Sequence, residues 1–220
     1  MHAFEHGVAM QIIKAIIRAL RELEITLGLN SNTLISRLSR RLRNLRKSPS
    51  VCTSTLLGFV NQSVLDLFAT INADGKIQSV MPDASDVQQL MLVLPFVLDG
   101  LASREIAAWN VGRAPAQKLV DPVFAIINVL NQYLQWYLWY RSPAKDIDEG
   151  ELTVLQLKGE ALVTSLKKVF PYTYTVKKAG GSTFQRSWWC TEKVHSITHC
   201  HTNFRKYGRC RNMCAQVASS

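Results

Sequence analysis

The chain has 220 residues, 47% of them hydrophobic and 19% charged, and its 26 Lys+Arg against 16 Asp+Glu give a formal net charge of +10. That composition excludes a disordered or collagen-like chain, and the length suits one domain, or one with a small appendage, built round a core. The longest uninterrupted apolar run, Leu90 to Leu98, is far short of the roughly 20 residues of a membrane span, so no membrane partner is expected.

In chain order, Val8, Ile12, Ile16, Leu20, Leu23 and Leu27 recur at three- and four-residue steps and predict an amphipathic helix over residues 3–27. A turn through Gly28 and Asn30 leads to a second helix, which runs to about Arg46 and stops at Ser48-Pro49. Its inward set is Leu34, Ile35, Leu38, Leu42 and Leu45, which leaves its arginines on the opposite side. A third helix is expected over about 55–72, and a fourth from Pro82-Asp83-Ala84-Ser85 through Leu101, kinked at Pro95. Gln117 to Arg141 reads as a long helix whose Tyr133, Trp136, Tyr137, Trp139 and Tyr140 form core. The acids Asp146, Asp148, Glu149 and Glu151 open a further helix to about Phe170, where they complement the macrodipole rather than hold a metal.

After Pro171 the pattern changes. Tyr172 to Val176 has β-propensity but no comparable partner, Gly180 to Thr183 reads as a loop, and Trp189 to Tyr207 as one more helix. The expected fold class is all-α: an irregular multi-helix bundle over residues 1–170, and a partly ordered basic segment with Cys and His over residues 171–220.

Charge is distributed unevenly. Residues 1–60 hold nine Lys/Arg and three acids, residues 61–166 seven and twelve, and residues 167–220 ten and one. No acid stands between Glu24 and Asp66, a stretch containing Arg37, Arg40, Arg41, Arg43, Arg46 and Lys47. Such density suits phosphate neutralisation, and a solvated face with no ligand is its competitor.

The five cysteines, four of them in the last 31 residues, are an odd number gathered at one end, which argues against a disulfide framework. With an N-terminus that lacks the basic and apolar segments of a secretory signal, this points to an intracellular protein. Cys190, His195, His199, Cys210 and Cys214 are the residues that could ligate zinc; buried thiols beside surface histidines are the other reading. Cys190 with His195 as a nucleophile and base lacks an orienting acid, and Gly180-Gly181 lacks the pattern of a phosphate loop.

Both ends of the chain carry a resemblance. Met1 to Gly7, with His2, His6 and Gly7, resembles the Asp-x-Leu/Met-His segment and following His-Gly pair of Plavaka-type and related eukaryotic transposases. Lys193, His195 and His199, then Phe204 to Gly208 and Asn212, resemble that family's Lys-x-His-x-x-x-His, Arg-x-Phe/Tyr-Gly and Asn-x-x-Thr-Glu elements. Leu92 to Leu98 resembles its Leu-Pro-Phe-Val-Leu helix. The resemblance implies the helical insertion and closing segment of a DDE/D-type transposase, working in the nucleus.

The family's first acid would stand ahead of Met1, and its Thr-Glu positions align with Ala215 and Gln216. A truncated or decayed transposase-derived protein, with no catalytic residue and no resident metal, is therefore expected, because metal-assisted phosphoryl transfer needs carboxylates to hold the ions. Non-specific DNA binding is assigned to Arg37, Arg40, Arg41, Arg43 and Lys47, and to a second patch of Lys193, Arg205, Lys206, Arg209 and Arg211. The alternatives are a helical protein-interaction module, self-associating through apolar helices, and a small zinc-stabilised domain.

Overall fold

A computed structural model of the chain describes residues 7–47, 84–109, 117–141, 148–178 and 180–207. The expected helix over 55–72 lies outside the described residues, which are predominantly α-helical, in agreement with the all-α expectation. They divide into two compact units, one up to Leu130 and the other from Asn131.

In the first unit, a π-helical turn at residues 7–9 leads into α1 (Met10–Leu27). All six periodic apolar residues from Val8 to Leu27 are buried. Gly28 ends α1 in the left-handed conformation at φ 67°, where a residue without Cβ pays no steric penalty, and the Leu29 N–H donates back to the Glu24 carbonyl at 2.9 Å.

The next helix, α2 (Thr33–Lys47), draws its N-terminal hydrogen bonds from the preceding helix. The Glu24 side chain of α1, itself buried, accepts from the backbone N–H groups of Asn32 at 2.8 Å, Leu34 at 2.6 Å and Ile35 at 3.4 Å. One carboxylate thus satisfies donors that a helix start otherwise leaves orphaned. Leu34, Ile35, Leu38 and Leu42 are buried, while Leu45 is half-buried.

Helix α3 (Ala84–Gly100) runs through Pro95, and Val87, Leu90, Met91, Leu94, Val97 and Leu98 are all buried on it. It continues as a π-helical segment (Leu101–Ile106) and a last turn (Ala107–Trp109). The unit boundary falls within α4 (Gln117–Arg141).

In the second unit, α4 contributes Tyr133, Trp136, Tyr137 and Tyr140 to the core; the Tyr133 and Tyr137 rings stack at 5.7 Å, and Trp136 and Tyr140 at 5.3 Å. Trp139, expected in the same cluster, is half-buried and meets Phe204 edge-on at 6.1 Å. Helix α5 (Glu149–Val169) starts as the acids predict: Asp148 caps it, its Oδ1 accepting from the Glu151 N–H at 2.7 Å, and Lys167 and Lys168 close it.

The expectation that Tyr172 to Val176 lacks a comparable partner, and that Thr183 belongs to a loop, is corrected by a hairpin. Strands β1 (Thr173–Lys177) and β2 (Thr183–Ser187) pair antiparallel, Tyr174 opposite Arg186 and Val176 opposite Phe184. Gly181, at φ 82°, gives the turn its left-handed residue, and Lys178 N–H donates to the Ser182 carbonyl at 2.8 Å. The hairpin delivers Trp189 to the core, where its indole N–H donates to the Phe170 carbonyl at 2.7 Å.

Helix α6 (Glu192–Tyr207) then packs along α5. The approach is close because Gly159, buried in mid-α5, has no Cβ; one built there would lie 2.8 Å from the Ile197 carbonyl oxygen.

Candidate nucleic-acid interface

The basic face of α2 follows from its apolar stripe. With Leu34, Leu38 and Leu42 buried, Ser36, Arg40, Arg43 and Asn44 are exposed on the far side, and Arg37 and Arg41 stand half-buried at the flank. Those two are not open to solvent charge alone. Arg37 Nη1 donates to Glu105 Oε2 at 2.5 Å, and Arg41 Nε to Oε1 at 2.7 Å.

Burial of Glu105 opposes its ionisation, but the hydrogen bonds and positive charge of the two guanidiniums prevail and hold its carboxyl below the ordinary glutamate value. Room for Arg41 comes from Gly100, where a Cβ would sit 2.7 Å from Arg41 Nη1. The expectation of a locally unopposed basic face is corrected accordingly: its acid arrives from 64 residues along the chain. Sequence spacing carries no signal for such a pair.

Among the residues of α2 whose burial is described, Arg40 and Arg43 therefore carry the exposed charge, and Lys47 is the last residue of the helix. Of the second patch, Arg209 and Arg211 lie outside the described residues, and Lys193, Arg205 and Lys206 lie exposed on α6. Arg205 engages Glu149 of α5 with two nitrogens, Nε at 3.0 Å and Nη2 at 2.5 Å. Those hydrogen bonds lower the Glu149 pKa and raise that of Arg205.

The Cys/His residues separate by face. His195 and His199, one helical turn apart, bring their rings to 4.3 Å, while Cys200 is buried between exposed His199 and half-buried His201. Cys190 is exposed at the helix entrance, and Cys210 and Cys214 lie outside the described residues. Among the described residues no three His, Cys, Asp or Glu side chains converge on a point that would hold a metal. Of the other motif residues, Gly7 begins the π turn, and His2, His6, Gly208 and Asn212 lie outside the described residues. Among the described residues no helix is long and apolar enough to cross a membrane.

One cleft in the second unit was not legible from spacing. About 510 Å³ in volume, it lies where α5, the end of β2 and the start of α6 meet, and Lys167, Arg186, Cys190, Thr191, Glu192 and His195 line it. The chain matches no protein-family model, no curated protein and no solved structure.

Proposed function

We propose that this chain is a transposase-derived protein, catalytically inert by itself, that binds DNA without sequence preference through its basic surfaces and works in the nucleus. The observation that supports it most is the outer face of α2, where Arg40 and Arg43 are exposed in a stretch of sequence that holds no acid from Ile25 to Leu65. Exposed guanidiniums on a rigid helix suit phosphate oxygens, and contacts of that kind position a duplex without reading it. Because Glu105 already occupies Arg37 and Arg41, the effective contacts on α2 are fewer than the five cations of the sequence pattern.

The test is duplex binding measured across a salt series. Replacing Arg40 and Arg43 by Gln is expected to keep helix content, weaken binding equally for all duplex sequences, and lower the slope of log affinity against log salt by about 0.9 for each lost contact. An unchanged affinity and slope would sink the reading.

A second reading, a helical protein-interaction module, draws on Val154 and Leu157 of α5, exposed at 45% and 59% one turn apart. Adjacent exposed apolar residues on a helix suit an apolar partner surface, a second copy of the chain included. Little DNA binding at any salt, with concentration-dependent self-association, is the outcome that favours it.

A further inference from the structure

The hairpin leaves two aromatic side chains partly exposed on one face. Strand alternation puts Tyr174, Val176, Phe184 and Arg186 on one face, and Tyr174 and Phe184 are 40% and 41% exposed. The two are diagonal neighbours in the register, a relation that spaces residues about 7–8 Å apart, so their rings can meet successive groups of one extended ligand.

Their surroundings are cationic. Lys178 Nζ lies 5.3 Å from the centre of the Phe184 ring, Arg186 stands opposite Tyr174, and residues 171–191 contain Lys177, Lys178 and Arg186 with no acid. Arg186 also lines the cleft of about 510 Å³ shared with Lys167 and His195, in which Glu192 is the single acid.

A lysine set against an exposed aromatic ring fits the centre of a protein interface poorly, since that centre is depleted in charge. They fit a ligand that alternates flat faces with anions. Duplex DNA keeps its base faces stacked, and gives these rings nothing to stack on. Single-stranded DNA offers both elements, and aromatic platforms flanked by cations are the general chemistry of its recognition.

We propose that the exposed face of the β1–β2 hairpin is a stacking platform for single-stranded DNA, Tyr174 and Phe184 taking base faces while Arg186 and Lys178 meet phosphates. This rests on the DNA-binding reading above and adds the form of DNA that the second unit selects.

The test compares a labelled oligothymidylate of about 16 nucleotides with a duplex of the same length, using the full chain. Tyr174→Leu and Phe184→Leu keep apolar bulk at exposed positions but remove the π face. Each is expected to weaken oligothymidylate binding at least about five-fold and leave duplex binding unchanged, Tyr174→Phe to retain affinity, and Arg186→Gln to lower the single-strand salt slope by about 0.7.

Unchanged single-strand affinity in both Leu variants, or equal losses on the two DNA forms, would overturn the platform. If duplex binding still responds to Arg40 and Arg43 in that case, the platform alone has failed; if neither DNA form binds with salt dependence, the DNA-binding reading has failed with it.

Discussion

Glu105 joins two arginines that sequence spacing would assign to DNA, and its ionisation contributes to how the first unit responds to acid. The folded carboxyl ionises below the ordinary glutamate range of about 4.3, held there by Arg37 and Arg41 against the cost of burial. Its contribution to stability is therefore present above that range and is lost as pH falls through the lower folded value, where the unfolded chain takes up the proton first. Thermal melts from about pH 6 to pH 3 are expected to fall less steeply for Glu105→Gln than for the unsubstituted chain. The same substitution removes a negative charge from beside Arg37 and Arg41, so duplex affinity and its salt slope at neutral pH should both rise. A fall in both would show that the pairing orders the basic face rather than competing for it.

Among elements, the α5–α6 pair depends on a single missing methyl. Ala is a better helix former than Gly by about 1 kcal/mol, which on propensity alone makes Gly159→Ala stabilising. The opposite sign is expected, because the added Cβ meets the backbone carbonyl of Ile197 and not a side chain that can swing aside. A net loss of about 1–3 kcal/mol, read by chemical denaturation, is the magnitude usual for overpacking. Glu24→Ala should cost a similar amount, about 1–3 kcal/mol, since it strands buried donors at the start of α2.

The helices were legible in the sequence wherever the apolar period was long. Every periodic residue expected from Val8 to Leu27 is buried, because a stripe repeated over four or more turns leaves one way to face a core. Two features were not legible. The hairpin escaped because β2 reads Thr-Phe-Gln-Arg-Ser, a weak strand by itself, although Gly180-Gly181 between two Thr-aromatic runs was the turn signal. The candidate site changed for a different reason: ion pairs such as Arg41 with Glu105 and Arg205 with Glu149 are made by tertiary proximity, which no local pattern encodes.

At the scale of the whole molecule, a net charge of +10 means self-repulsion that compaction must oppose. Added sodium chloride up to about 0.15 M screens that repulsion, so the melting temperature is expected to rise with salt over the range in which DNA affinity falls. A melting temperature that drops instead would mean that ion pairs outweigh the excess charge.

The cap that α1 gives to α2 has a further consequence. A peptide of residues 30–47 carries six cations and no acid, several of them three or four positions apart, and like charges at that spacing disfavour an isolated helix. Its first turn also lacks the carboxylate that anchors it, because Glu24 belongs to the preceding helix. The basic surface cannot therefore be excised as an autonomous motif. It is a product of the pair, so loss of α1 would cost the surface its order without removing any of its arginines.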